Sequence, residues 1–206
     1  MKEDILEQVV DDYLNLQGYF TTHNVPFKPD PTRDDYETAA DSVPSDIDVV
    51  GFHPRKRGRK RVIVVSCKSW QRGMNPIAVL EQLQGCRPNP RRRDRWHQFR
   101  ELWKPKWNEG LRKAVLDLTG QSTFQYRIAV TRISGSASVT DAERAWREDE
   151  TIAKNLEGAD FGFLPLEVMW AEVLDQLTTT PAPSELGRLA QLLRAAGLTE
   201  PQRRSQ

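Results

Sequence analysis

Two apolar segments separated by a short basic stretch limit the folds open to this chain more than any other feature. The segments are SDIDVVGF (45–52) and VIVVSCK (62–68), and the connection between them contains PRKRGRK (54–60). Both segments are rich in β-branched residues, and a short connection of this kind joins two strands as an antiparallel hairpin. The sequence therefore predicts a β-hairpin whose second strand ends at Lys68.

Alternation along these strands places polar side chains at one end of the hairpin. Side chains of a strand point to opposite faces in turn, so Ser66 and Lys68 share one face and Cys67 lies on the other. Asp46 and Asp48 share a face of the first strand. If the two strands pair, Asp48 lies close to Ser66 and Lys68 at one end of the sheet.

Helical periodicity and turn residues divide the rest of the chain into further elements. Gly18 is expected to stop the first helix, Asn75 to cap the second, and Thr140, with Glu143 three residues later, to open a capping box. The expected helices are 3–18, 75–85, 108–120, 140–156, 167–177 and 184–197, and the further strands are 19–28, 125–134 and 161–166. This order predicts an α/β fold in which helices flank a mixed central sheet.

Composition excludes several classes of protein. The two cysteines form no CxxC or Cys/His cluster, no apolar run approaches the ~18 residues of a membrane helix, and the acidic start MKEDILEQVVDD is atypical of a signal peptide. We expect a cytoplasmic protein with no membrane partner. Its domain would span 1–180 with an insert at about 86–122, followed by a helix at 184–198 and a disordered tail at 199–206.

An acid beside a lysine at the end of a half-buried hairpin is suited to phosphate chemistry. Hard cations such as Mg²⁺ bind through carboxylate and carbonyl oxygens together with substrate phosphates, and Asp48 and the backbone carbonyl of Cys67 could supply such oxygens. Lys68 could orient the attacking water or stabilise charge on the phosphate. These residues predict phosphodiester hydrolysis with Mg²⁺ or Mn²⁺ as cofactor.

At these positions the chain resembles the PD-(D/E)xK nuclease superfamily. The stretch SDIDVVGF…VIVVSCKSW has its order of an acid at a strand, a variable hairpin, and a lysine on the next strand. The pieces IDVVG and CKSW look most like Mrr-type restriction nucleases and archaeal Holliday-junction resolvases. In the first helix, LEQVVDDYLNLQGYF resembles their pattern of a glutamate before a Gly-aromatic pair. The resemblance covers roughly residues 5–85 and implies a restriction-endonuclease-like core, to which a basic, Trp-rich helical insert would be added.

The resemblance also implies roles for individual residues. Asp48 would be the principal metal ligand, Lys68 the catalytic lysine and Glu7 an auxiliary acid of the metal site, while Asp46 is a weaker candidate for the aspartate. The chain departs from the family where Ser66 replaces the middle acid of the motif. Some restriction enzymes with a Ser-x-Lys motif regain this acid from the next helix, and here Glu81, thirteen residues after Lys68, is the candidate.

Two basic segments flank the motif strands in the sequence. Lysines and arginines that face phosphates give salt-dependent affinity for nucleic acid, and aromatic side chains can stack on bases. Alternatively, the basic turn is a solvated loop, and the aromatic residues of the insert dock a helix on the core. The candidate nucleic-acid contacts are Arg55, Lys56, Arg57, Arg59, Lys60, Arg91, Arg92, Arg93, Arg95, Trp96 and Trp103.

Two functions remain open at this point. The first is a Mg²⁺-dependent DNA endonuclease acting on duplex or branched DNA, in restriction and phage defence or in repair, for which the family allows a homodimer. The second is a nuclease-derived DNA-binding or assembly subunit that no longer cuts, because a serine stands at position 66.

Overall fold

A five-stranded mixed sheet forms the centre of the computed structural model, which describes residues 4–88, 94–177, 182 and 184–198. The strand order is β1-β2-β3-β4-β5, with β1–β2 and β2–β3 antiparallel and β3–β4 and β4–β5 parallel. The hairpin predicted from the two apolar segments is therefore confirmed as β2–β3. The strands are β1 (Phe20–Phe27), β2 (Ser45–Phe52), β3 (Val62–Lys68), β4 (Gln125–Val130) and β5 (Asp160–Pro165).

Helices cover both faces of the sheet, so the prediction of an α/β fold with flanking helices is confirmed. The helices are α1 (Ile5–Leu16), α2 (Thr38–Asp41), α3 (Pro76–Leu83), α4 (Arg100–Trp103), α5 (Pro105–Thr119), α6 (Val139–Glu148), α7 (Glu150–Asn155), α8 (Leu166–Gln176) and α9 (Glu185–Ala195). Helices α1 and α8 pack on one face of the sheet, and α9 lies against both of them. Helices α3 to α7 pack on the other face. The tail expected at 199–206 lies outside the described residues.

The two faces of β3 divide as the alternation predicts. Val62 and Val64 belong to the larger apolar cluster under α3 to α7, while Ile63 and Val65 belong to the smaller cluster under α1 and α8. In β2 the pattern holds for Val49 and Val50, but Ile47 packs with the larger cluster. Pairing of β2 with β3 ends at Val49, so Ile47 pairs only with the edge strand β1.

Local signals place some helix ends correctly and others wrongly. The Asn75 side chain accepts a hydrogen bond from the Ala78 N–H at 3.1 Å, as expected of an N-cap, and Gly18 after α1 has a left-handed φ of 81°. Thr140 is not a cap, because Ser138 caps α6 by accepting from the Asp141 N–H at 3.1 Å. The expected single helix at 140–156 is two helices that meet at Asp149.

The stretch between β1 and β2 is tied to α5 by a buried ion pair. Asp41 is 1% exposed, and its Oδ2 lies 2.7 Å from the Nζ of Lys106. The Asp41 carboxylate also accepts hydrogen bonds from the Trp107 indole N–H (3.1 Å) and from the Glu37 N–H (2.9 Å). Since Trp107 is itself buried, this contact fixes α5 of the insert against the sheet edge.

Candidate active site at the end of the β2–β3 hairpin

The antiparallel ladder of β2 and β3 ends just before the predicted site. Its last pair is Val49 with Val65, and the next residue of β2 is Asp48. Here a side chain replaces the backbone as the hydrogen-bond acceptor of β3: the Oδ2 of Asp48 accepts a hydrogen bond from the Cys67 N–H at 2.5 Å. A carboxylate is thus built into the point where the two strands separate.

Ser66 and Lys68 lie beside this carboxylate, as the alternation predicts. The Nζ of Lys68 donates a hydrogen bond to the Ser66 hydroxyl at 2.8 Å and lies 5.5 Å from the centre of the Phe99 ring. The positive charge of Lys68 also favours the ionised form of Asp48, so the ammonium group lies within electrostatic range of that carboxylate. The structure brings together the three residues that strand alternation assigns to this face.

A second carboxylate, absent from the sequence predictions, joins the group from the insert. Glu101 of α4 is 6% exposed, and its Oε1 accepts a hydrogen bond of 2.5 Å from the hydroxyl of Tyr126 on β4. The Ser66 hydroxyl interacts with both Asp48 and Tyr126, so one connected polar cluster is formed by Asp48, Ser66, Lys68, Glu101 and Tyr126. The sequence gives no clear signal for this residue, since in FRELW (99–103) the glutamate stands beside an arginine, as charged residues do on an ordinary amphipathic helix.

Burial dominates the electrostatics of Asp48. It raises the pKa of the Asp48 carboxyl above its ordinary value, and the nearby negative charge of Glu101 acts in the same direction. The Lys68 charge, the Cys67 N–H and the Ser66 hydroxyl partly offset this rise of the pKa. Burial also raises the pKa of Tyr126 well above its usual range, so this phenol remains a hydrogen-bond donor.

Replacing Asp48 with asparagine is expected to raise the free energy of unfolding by roughly 0.5–2 kcal/mol at pH 8 without divalent cations. Because the pKa of Asp48 is raised in the folded state, its ionised form costs stability. That cost is present above the folded-state pKa and disappears as the pH falls toward the ordinary value of 3.8. Urea unfolding at a series of pH values measures it. A less stable variant at pH 8 would contradict this reading, and Asp46→Asn is the exposed control.

The remaining acids of the motif are less central. Glu7 on α1 is partly buried and lies near enough to Cys67 that its charge contributes to the raised pKa of that thiol, for which burial is the main cause. Glu7 therefore lies at the same end of the sheet as Asp48. Asp46 is exposed and pairs with Pro26 of the edge strand β1. Asp48, not Asp46, is the aspartate that contacts the end of β3.

Glu81 does not lie where its spacing from Lys68 predicts. Its Oε2 is 3.3 Å from a guanidinium nitrogen of Arg87, and its side chain is 43% exposed. Neither Asp48 nor Lys68 is among its contacts. Glu81 was predicted from its distance along the chain from Lys68. In the structure its position on α3 faces solvent, and Glu101 of α4 lies beside the motif instead.

The basic turn lies at the opposite end of the hairpin from Asp48. The seven residues of β3 separate the two, a distance of roughly 20 Å at ~3.3 Å per residue. Arg55, Arg57, Arg59 and Lys60 belong to this turn, whereas Lys56 packs over the ring of Tyr19 at 4.3 Å. The basic residues are close to Lys68 in the sequence but far from it in space, because the turn of a hairpin lies at the opposite end of its strands.

The aromatic residues of the insert are mostly part of the core. Phe99 and Trp107 are buried, while Trp96 and Trp103 are partly buried against the same cluster. Arg91, Arg92 and Arg93 lie outside the described residues. Arg95 lies over the ring of Trp70 at 5.4 Å and donates to the Gln82 side chain at 2.7 Å. Of the two interpretations left open for the aromatic residues, docking on the core is the one seen.

A cleft opens beside the site, just past the end of β3. It has a volume of about 710 Å³, and its lining includes Trp70, Arg72 and Arg95. Trp70 follows Lys68 by two positions and packs edge-on against Phe99, with ring centres 6.2 Å apart. The lysine of the motif and the basic, aromatic cleft are therefore joined through the same short stretch of chain.

The oxygen donors of the cluster suit a hard cation. The cluster holds two carboxylates, Asp48 and Glu101, whose charges act on each other, and Mg²⁺ commonly takes one or two carboxylates together with waters and substrate phosphate. Within the described ranges, no group of three or more His, Cys, Asp or Glu side chains could hold a metal ion by itself. The donor set fits Mg²⁺ or Mn²⁺ held by two carboxylates and waters, with substrate phosphate as a further ligand, and it does not fit structural zinc.

Comparison with protein-family models, with curated proteins and with solved structures finds no significant match to this chain. The resemblance to the nuclease superfamily therefore depends on the motif residues and their placement. Among the residues that the structure describes, no helix is both long enough and apolar enough to cross a membrane.

Proposed function

We propose that this protein is a Mg²⁺-dependent DNA endonuclease with a restriction-endonuclease-like core. The observation that carries the proposal is the pair of contacts at the point where β2 and β3 separate: Asp48 accepts the Cys67 N–H, and Lys68 donates to the Ser66 hydroxyl. Apart from the short helix α2 and the helices α4 and α5 of the insert, the order is helix, three antiparallel strands, helix and parallel strand, and the resembling family has the same order around its motif.

The residues would divide the work as follows. Mg²⁺ or Mn²⁺, when bound, would supply a Lewis acid that neutralises charge on the scissile phosphate. Asp48 would hold the cation through a carboxylate whose position is fixed by the Cys67 N–H. Lys68 would stabilise the negative charge that develops on the phosphate or orient the attacking water, and the Ser66 hydroxyl would hold its Nζ in place.

The cleft beside Lys68 supports nucleic acid as the substrate. Arg72 and Arg95 offer positive charge to a phosphate backbone, and the partly exposed ring of Trp70 offers a surface on which a base could stack. The distance from the site to the basic segment at the hairpin turn is shorter than the ~34 Å pitch of a DNA duplex. A duplex that runs along the strands of the sheet could therefore contact both. The cleft is the contact nearest to the chemistry.

The test is a cleavage assay of the purified chain on plasmid, single-stranded and branched DNA, with Mg²⁺, with Mn²⁺ or with EDTA. We expect cleavage of at least one DNA form that depends on the divalent cation and is lost in Asp48→Asn. Asp46→Asn, the same change on an exposed neighbour, is expected to cut normally. Cleavage that persists in EDTA, or that survives Asp48→Asn, would argue against the proposal.

One observation favours a second function, that of a DNA-binding subunit that does not cut. Ser66 occupies the place of the motif acid, and its hydroxyl accepts a hydrogen bond from Lys68, which an acid at this position would otherwise pair with. In that case the wild type would bind DNA with a steep salt dependence and never cleave it. Introducing the acid by Ser66→Asp would then give cleavage that the wild type lacks.

A further inference from the structure

We propose that Glu101, carried by the insert, is the second carboxylate of the metal site and replaces the acid missing at position 66. This inference rests on the proposed function, because it names the residue that completes the same site. It makes the insert part of the catalytic machinery, whereas the sequence suggested either a surface for nucleic acid or a helix docked on the core.

The position of Glu101 supports this role. The side chain is more than nine-tenths buried, and one oxygen, Oε1, accepts the Tyr126 hydroxyl at 2.5 Å. Within the described part of the chain, the other oxygen, Oε2, accepts no hydrogen bond. Tyr126 lies on β4 directly opposite Val64 of β3. The carboxylate is thereby held over the strand that carries Ser66.

Helix α4 is held in place by buried side chains. Four residues are too few to form a stable helix alone, and the amide groups of Asn108 and Asn155 bond its carbonyls at Glu101 and Leu102, at 2.8 Å each. Both asparagines are buried, and Arg112 binds the Asn108 side-chain oxygen at 2.6 Å. The carboxylate of Glu101 is therefore positioned by packing from α5 and α7.

The balance of charge explains why a cation belongs here. Asp48 and Glu101 carry two negative charges and Lys68 carries one positive charge in this largely buried cluster, and both Glu101 and Lys68 act on the charge of Asp48. An unbalanced buried charge is costly, and a divalent cation would turn the excess of one negative charge into one positive charge. A phosphate of the substrate would balance that charge in turn, so the two carboxylates and waters would hold the cation in the free protein and the phosphate would join them when substrate binds.

Glu81 is the control residue for this inference, because its spacing from Lys68 predicts that it would be the second carboxylate of the metal site. It is a glutamate on a helix of the same face of the sheet, but its carboxylate lies against Arg87 and is 43% exposed. Changing each of the two glutamates to glutamine removes one charge and preserves shape. The pair of variants therefore separates a ligand from a surface residue.

The experiment measures binding of Mn²⁺ to the full chain without DNA, from the electron paramagnetic resonance signal of the free ion. Loss of an outer-shell partner alone costs about 10–100-fold in metal affinity, so Glu101→Gln is expected to weaken Mn²⁺ binding at least about tenfold. Glu81→Gln is expected to bind Mn²⁺ as the wild type does. Glu101→Asp, which keeps the charge on a shorter side chain, should bind more tightly than Glu101→Gln.

The result that overturns the inference is wild-type Mn²⁺ affinity in Glu101→Gln, or a larger loss in Glu81→Gln. Thermal unfolding of each variant controls for folding. If Glu101→Gln does not fold, the Mn²⁺ affinities of Glu101→Asp and Glu81→Gln are compared: weaker binding by Glu101→Asp supports the inference, and equal binding overturns it. Failure of the nuclease proposal gives a different pattern. In that pattern Mn²⁺ binds through Glu101, but the wild type cuts no form of DNA.

Discussion

Replacing Lys68 with alanine is expected to lower the rate of DNA cleavage by about 100-fold or more, since a positioned acid–base or charge-stabilising group contributes about 10²–10⁴-fold. The Nζ of Lys68 lies 2.8 Å from the Ser66 hydroxyl, and its charge acts on Asp48. DNA affinity should change little, because the arginines of the cleft remain. Single-turnover cleavage measures the rate, and fluorescence anisotropy of labelled DNA in Ca²⁺ measures the affinity.

The control for this change is Lys154→Ala, which removes an exposed lysine from α7. It is expected to cut DNA at the wild-type rate. If Lys68→Ala cuts as fast as the wild type, the lysine of the motif has no part in the reaction. If it loses DNA binding and cleavage together, its role is in binding and the assignment as a catalytic group is wrong.

Replacing Asp41 with asparagine is expected to destabilise the protein by about 3–5 kcal/mol, the usual cost of removing one partner of a buried ion pair. The ammonium of Lys106, 13% exposed at its side chain, would lose the carboxylate 2.7 Å away. The amide that replaces it could still accept the Trp107 N–H, so the loss comes mainly from the uncompensated charge. Urea unfolding measures the free energy, and Tm should fall by roughly 10 °C.

The same carboxylate-to-amide change at Asp117 provides the comparison. Asp117 pairs with Lys113 four residues earlier on α5, and both side chains are more than 60% exposed. Exposed pairs of this kind contribute about 0.3–0.5 kcal/mol, so Asp117→Asn should hardly move the unfolding curve. Equal effects at the two positions would show that the Asp41 contact does not stabilise the fold.

The part of the site that the sequence predicts is the part set by strand geometry. A period of two residues fixes the faces of β3, so the sequence alone places Ser66 and Lys68 together and Cys67 apart from them. Pairing of two adjacent strands then brings Asp48 to the same end. These are local rules acting over a hairpin, and they hold here.

Glu101 escaped prediction because its place depends on tertiary packing. Its partner, Tyr126, is on β4, and the amides that hold α4 come from α5 and α7. No periodic pattern links such distant positions. The spacing of Trp96, Phe99 and Trp103 indicates one continuous helix, whereas a 3₁₀ turn, α4 and α5 follow one another, and Pro105 starts the last of these.

The cap at Thr140 shows a different limit of the sequence. Both Ser138 and Thr140 are residues that cap helices well, and Glu143 completes the pattern only for the second. In the structure Glu143 instead accepts a hydrogen bond from the Phe163 N–H of β5 at 2.8 Å. A side chain that the local pattern assigned to its own helix is used to attach that helix to the sheet.

The wide spacing of the cluster along the chain also bears on when the site comes into being during synthesis. Asp48 and Lys68 leave the ribosome early, but Glu101 and Tyr126, which belong to the same cluster, leave much later. Contacts between such distant positions form late, since the intervening chain must first be ordered. A nascent or half-folded chain therefore holds Asp48 and Lys68 without Glu101 and Tyr126, and the whole cluster is assembled only when β4 and α4 have joined the sheet.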